Sequence, residues 1–442
     1  MKVYFSILIA LLTTIGQAQE HAQEIVKKWS LEECIAYATT HNITVKDALY
    51  SQDKAQLNYD QSKYNKLPNV TGSASQTLSN GNSIDPITSD YVTQQIHSSS
   101  FGINSSLTVY EGSKLNKQQK QQQLIFKQNT LYVEETQNNI TLQVTEAYLQ
   151  ALYMQEGITI AENNLEASQQ EATLAKAKLD AGSIPMQDYT DATSQAATKK
   201  YDLITAKNNY AQQITTLKQL LELDPETEFA IETPDHINEM VETQLDKIGV
   251  YKKALSILPE IKATELSKAI SEKDIEIAKS DNLPSLYLNG SLGSGFTSTQ
   301  ELNFVDQINV NFNQRIGLSL NIPIFNKNQT KAEIKLAKIN AEQSDLELQN
   351  AKKDLYKKVD TAWQNSIASQ EQLLAASAAK DAAEESYKLA KKKFELNALN
   401  TSDLVVSQNN YTNAQLDYIK AKYLNILYYQ LLQFYQGNTI EI

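Results

Sequence analysis

The sequence predicts a mainly α fold with a membrane β-barrel contribution, built as a tandem repeat of long helical hairpins and four β-strands. Three observations carry this. An abrupt change from helix to strand occurs twice, at Leu67-Pro68 and at Leu283-Pro284, with the two prolines 216 positions apart. From Asn328 to Gln436 there is neither Gly nor Pro, as long uninterrupted helices require. Alternating runs such as "LYLNGSLG" and "RIGLSLNIPIF" have the period of strands with one apolar face.

The chain has 442 residues, more than one ordinary core organises. Residues 1–18 read separately. Lys2 precedes the apolar run "VYFSILIALLTTIG", and the small Gly16 and Ala18 suit cleavage before Gln19. That is a secretory signal peptide rather than a membrane span. Beyond it no apolar run approaches the roughly 20 residues of a transmembrane helix.

Composition excludes several functions. Cys34 is the only cysteine, so neither a disulfide nor a Cys-based metal cluster forms within one chain. It lies far from the cleavage site, so no lipid anchor is expected. A formal charge of −12 argues against nucleic acid as partner. Basic residues are almost all Lys, with Arg315 the sole Arg. His21, His41, His97 and His236 show no ligand spacing, and no nucleophile–base set is evident. The expectation is no enzyme, no metal and no cofactor. "GSLGSGF" at Gly290 lacks the helix and Lys of a phosphate loop and reads as strand glycine.

In chain order, Ser30-Leu-Glu-Glu33 reads as a capping box, and Asp246 is its N-cap counterpart 216 positions on. A helix over 43–66, and again over 259–282, ends at Leu-Pro, because Pro disfavours helix in the residue before it. Strands are expected over 68–79 and 99–110, then 284–296 and 306–325. Gly102 pairs with Gly317, and Asp188 with Asp403, both at 215. The offset places the repeats at 19–221 and 246–437, with an acidic-polar linker over 222–245 and a tail over 438–442.

Asn328–Leu396 is 69 residues, about 100 Å if helical throughout. Such a helix must pack along its length. Leu348, Ala351, Leu355, Val359 and Ala362 supply a narrow stripe. Ser366, Ser369, Ala375, Ala376, Ala378 and Ala379 allow close approach. These helices alone fit a periplasmic coiled-coil adaptor or scaffold equally well. The strands separate the two readings, since alternating segments of 9–12 residues suit an outer-membrane barrel. Four strands cannot close one, and an open edge in lipid leaves backbone groups unpaired. The chain must pool strands with copies of itself, and a conducting lumen favours three copies over two.

At this point the sequence resembles the outer membrane efflux protein family, the TolC-like channel-tunnels, over essentially the whole mature chain. The most specific motif lies where a long helix turns back: aromatic-x-x-Gly, then Asp six residues past the Gly. "KLDAGSIPMQDYTDATSQ" matches with Gly182 and Asp188; "FELNALNTSDLVVSQNN" matches with Phe394, Asn397 in place of Gly, and Asp403. Gly and Asn best tolerate the left-handed conformation that ends a helix.

The resemblance implies a homotrimer with a twelve-stranded barrel in outer-membrane lipid and an α-helical tunnel across the periplasm of a Gram-negative bacterium. It would be the passive exit duct of a tripartite efflux or type I secretion system. The partners implied are a periplasmic adaptor and an inner-membrane pump of RND, ABC or MFS type. The turns would be the adaptor-contacting tips: Gly182, Ser183, Ile184 and Pro185, with Asn397, Ala398, Leu399 and Asn400. Asp188, Asp191 and Asp403 would form an acidic gate. The second copy departs from the family's paired aspartates, since Val406 follows Asp403. Leu399 replaces an Arg found in some members, so closing ion pairs would use Lys391–Lys393. Each aspartate also suits a helix N-terminus on dipole grounds alone.

Overall fold

The computed structural model describes residues 27–84, 87–93, 95–234 and 246–440. The signal peptide over 1–18, residues 235–245 of the linker and the last two residues of the tail lie outside the described residues.

The first half runs β1 (Lys28–Trp29), α1 (Leu31–His41), α2 (Ile43–Tyr64), β2 (Asn69–Ser79), β3 (Asn82–Ile84), β4 (Tyr91–Thr93), β5 (Ile96–Glu111), α3 (Lys114–Asp180), α4 (Met186–Leu220) and β6 (Ala230–Ile231). The second runs α5 (Lys247–Ile257), α6 (Pro259–Ser280), β7 (Ser285–Thr297), α7 (Phe304–Val310), β8 (Asn313–Asn321), α8 (Gln329–Glu395) and α9 (Thr401–Tyr435). Corresponding helices have the same lengths in the two halves: 11, 22, 67 and 35 residues. Equal lengths in all four helix pairs are the signature of duplication.

Local chemistry sets the boundaries. Ser30 Oγ accepts from the Glu33 N–H at 3.2 Å, and the Glu33 carboxylate accepts from the Ser30 N–H at 3.4 Å. Asp246 accepts from the N–H groups of Ile248 and Gly249. Both pairs satisfy donors that a helix start leaves open. α2 and α6 each end in one tight turn, with the Leu67 and Leu283 N–H groups donating to Tyr64 and Ser280 carbonyls at 2.8 and 2.9 Å. Proline then forces the extended backbone that starts the strand.

The four long strands form one antiparallel sheet in the order β2-β5-β7-β8. The β5–β7 pair joins the two repeats and carries a bulge at Thr108/Tyr110. The chain leaves the sheet through two consecutive left-handed residues in each half: Gly112 and Ser113 (φ 57° and 63°), then Lys327 and Asn328 (56° and 63°). In each half these two residues immediately precede the 67-residue helix.

Two of the strand expectations need correction. β5 starts at Ile96 rather than 99, and residues 306–325 are not one strand. Their first part is α7, because Asn303 caps the Asp306 N–H at 2.9 Å and the fully buried Gln307 accepts from the Thr297 N–H at 2.8 Å. β8 ends at Asn321, two residues before Pro323, which has no N–H for a ladder. The linker also contains structure: β6 pairs in parallel with β1. Tyr148, 1% exposed, holds this pair by donating its hydroxyl to the carbonyls of Trp29 (3.0 Å) and Glu232 (2.7 Å). Ile440 of the tail is buried in the same cluster.

Two apolar cores form a belt roughly midway along the long helices. One gathers Val144, Tyr148, Leu149 and Leu152 of α3 with Leu31, Cys34, Leu217 and Tyr423. The other gathers Leu355, Val359 and Ala362 of α8 with Val250, Ala254, Ile261 and Leu432. Of the stripe over 348–362, Leu355, Val359 and Ala362 are core, Ala351 is half-buried against them and Leu348 is buried apart from both clusters, with Ser366 and Ser369 buried beyond. Ala375, Ala378 and Ala379 are exposed in the single chain.

Candidate functional site: the hairpin tips and the transmembrane sheet

Both long helices end in the same turn. Gly182 and Asn397 are left-handed (φ 70° and 60°). The next residue's N–H donates five residues back, Ser183 to Lys178 and Ala398 to Lys393, each at 2.8 Å. Gly182 and Asn397 themselves donate to Leu179 and Phe394 at 2.8 and 3.1 Å. This double bond pattern closes the orphan carbonyls of a helix end. Gly182, Ser183, Pro185, Asn397, Ala398 and Asn400 are exposed; Ile184 and Leu399 are half-buried.

The two tips lie side by side. The Lys178 ammonium donates to the carbonyls of Phe394 and Glu395 and sits 4.3 Å from the Phe394 ring centroid. A cation from the first repeat thus caps the helix end of the second. Asp188 and Asp403 occupy the first turns of α4 and α9. Asn400 caps the Asp403 N–H at 2.8 Å, whereas Pro185 makes no side-chain cap. Asp188 and Asp191 are half-buried and Asp403 is exposed. No ion pair joins any of the three to Lys391–Lys393 among the described residues. Lys391 instead acts electrostatically on Glu171.

Behind the tips lies a polar layer that sequence reasoning did not single out. Glu171 of α3, 6% exposed, accepts from the Tyr387 hydroxyl of α8 at 2.7 Å, and Tyr387 stacks on Tyr411. Fully buried Gln408 donates to Ser168 Oγ at 2.9 Å, and Gln195 donates to Asn409 at 3.0 Å. Burial raises the Glu171 pKa, while the Tyr387 hydroxyl and Lys391 oppose the rise. A raised carboxyl pKa stabilises the fold below the unfolded value of about 4.3 and loses that contribution as pH climbs through the folded value. Hydrogen-exchange protection of the tip, corrected for intrinsic rates, should therefore fall as pH rises through that window. In Glu171→Gln the fall should vanish; an unchanged pH profile would assign the effect elsewhere.

At the other end, the sheet sorts its residues by face. Thr71, Ser73 and Ser75 of β2 are in register with Asn104, Gly102 and Ser100 of β5. That row continues through Ser291 and Gly293 of β7 to Arg315 and Asn313 of β8. The opposite face carries Val70, Phe101, Ile103, Leu292, Ile316, Leu318 and Leu320, each at least 41% exposed. An exposed apolar face backed by a Ser/Gly/Asn face is what lipid outside and water inside demand. β2 and β8 each keep one unpaired edge. No helix among the described residues is long and apolar enough to cross a membrane. The described residues hold no group of three or more His, Cys, Asp and Glu suited to a metal ion.

An amphipathic four-stranded sheet continued by paired 67-residue helices defines a class: an outer-membrane channel protomer whose barrel passes into a helical tunnel. The model of the outer membrane efflux protein family matches residues 35–222 and 250–434, and the chain belongs to this family. It is an outer-membrane protein and not an enzyme. The coiled-coil adaptor reading, open on the helices alone, does not survive the sheet and this match.

The chain is similar to the outer membrane protein TolC of Escherichia coli, with 22% identity over 98% of this chain and 85% of that protein. It is 26% identical to the pyoverdine export outer membrane protein OpmQ of Pseudomonas putida, over 46% of this chain and only 41% of that protein. In structure it resembles the Campylobacter jejuni CmeC outer membrane channel, with a TM-score of 0.81 at 18% identity, over 93% of this chain and 86% of the other.

Proposed function

We propose that three copies of this chain close a barrel of four strands each and form the passive exit duct of a tripartite efflux or type I secretion system. The observation that carries the reading is the pair of open edges on a sheet with one lipid-facing side. Backbone groups left unpaired in hydrocarbon cost several kcal/mol each, about as much as any unsatisfied buried polar group. Pairing β2 of one copy with β8 of the next removes that cost around the ring. The partners are a periplasmic adaptor at the tips and an inner-membrane pump of RND, ABC or MFS type, which supplies the energy. The channel itself performs no chemistry.

The proposed gate is the acidic set Asp188, Asp191 and Asp403 at the start of the return helices. Their helix starts support this placement, and threefold repetition would gather nine carboxylates at the narrow end. The purified protein should migrate as a heat-sensitive oligomer and conduct ions in a planar bilayer. Replacing all three aspartates by Ala should raise single-channel conductance. An unchanged conductance removes them from the gate while leaving the channel intact; absence of any conductance removes the channel.

The adaptor contact is testable separately. Gly182 is left-handed with open space around its would-be Cβ, so Gly182→Val strains only the turn, by about 1–2 kcal/mol. Pump-dependent resistance should fall while oligomer and conductance persist. Full resistance would count against the tip as the docking point.

A further inference from the structure

Arg315 is the only arginine in the 442-residue chain. Over the four long strands the Lys, Arg, Asp and Glu side chains are two: Arg315 in β8, and Glu111 at the final position of β5. Arg315 stands on the polar face, in the row Thr71, Asn104, Ser291, Arg315, next to the lipid-facing Ile316. The shallow concavity it lines with Asn289 and Ser319 contains no carboxylate. No ion pair engages its guanidinium among the described residues.

Repeat geometry does not require a cation there. The offset that pairs Gly102 with Gly317 pairs Ser100 with Arg315, and Ser100 stands on the same polar face. The first repeat therefore has a neutral hydroxyl at the equivalent position, and the second departs from it with a charge. A guanidinium is always protonated and presents five donors in a fork that fits carboxylate and phosphate. In a barrel walled by low-dielectric lipid, its field is focused into the lumen.

We propose that Arg315 makes a cationic ring of three inside the barrel, which attracts and briefly holds anionic groups of the cargo (carboxylate, phosphate or sulfonate) at the exit. The inference rests on the trimeric channel reading above. Rings of Arg or Lys select anions in pores by this means. In a chain of net charge −12, the ring is a local inversion of sign on the exit path. A probe entering from the barrel side meets it without passing the acidic tips.

The test uses the full mature protein in planar bilayers at about 0.1 M salt, where screening extends over about 10 Å. Inorganic tripolyphosphate is added to the chamber that the barrel faces. Wild type should show reduced current; Arg315→Lys should keep the block, Arg315→Gln should lose it, and Arg315→Glu should instead be blocked by spermine. Block of wild type should weaken as salt is raised. Conducting wild type and Arg315→Gln channels with equal block, or with none in either, overturn the ring and leave the channel reading standing. No conductance from a correctly assembled oligomer overturns both.

Discussion

Gly112→Val is expected to cost the protein its assembled barrel. A Cβ at this position would stand 2.9 Å from the Cβ and Cδ1 of Leu283 and 2.9 Å from the Ser280 carbonyl oxygen. One obstacle is backbone, and the others belong to the Leu that ends the neighbouring helix, so a rotamer change cannot relieve the contact. The left-handed φ of 57° adds about 1–2 kcal/mol for a side chain, and overpacking typically adds about 1–3. Together these come to about 2–5 kcal/mol, a large fraction of the roughly 5–15 kcal/mol that holds a typical domain.

Lys327 adopts nearly the same φ in the second repeat, so backbone conformation alone does not demand glycine. The close approach of Leu283 does. Heat-sensitive oligomer in the membrane fraction is the measurement. Gly290→Val is the matched control, since a Cβ there meets nothing within 4 Å. Normal oligomer yield from Gly112→Val would show that the two helix–strand junctions are not packed this tightly.

Leu318→Arg should have the second largest effect. Leu318 is 65% exposed on the apolar face of β8, and an arginine facing lipid near the bilayer midplane costs about 2–4 kcal/mol. That penalty recurs in each copy. The neighbouring Ser319→Arg, one residue on and on the polar face, should insert nearly as well as wild type. Outer-membrane yield of the two variants provides the comparison. Equal yields would mean that the faces are not divided between lipid and water as proposed.

The contrast between residues 318 and 319 rests on a pattern legible in the chain itself. Alternation in "RIGLSLNIPIF", the paired Leu-Pro junctions and the Gly-free runs are local signals, and each reports a backbone preference that neighbours in sequence decide. The capping box at Ser30 and the left-handed turns at Gly182 and Asn397 are of the same kind. The duplication could be read because an offset is arithmetic on the sequence.

What neighbours in space decide could not be read. The segment over 306–325 alternates well enough to pass for strand, yet Gln307 is claimed by Thr297 and by the carbonyl of Leu302, and a helical turn results. Glu171, Gln408 and Ser168 look like solvated helix surface until two hairpins close over them. Parallel pairing of β1 with β6 spans some 200 residues of chain, and the Tyr148 hydroxyl, which reaches both ends, helps to show why they meet. The sequence by itself determined the repeat, the long helices and their boundaries at caps, prolines and turns, because those follow from torsion angles and short-range hydrogen bonds. The tertiary structure alone decided which polar residues are buried, which glycine is indispensable and which face of the sheet holds Arg315. Those depend on contacts between atoms far apart along the chain.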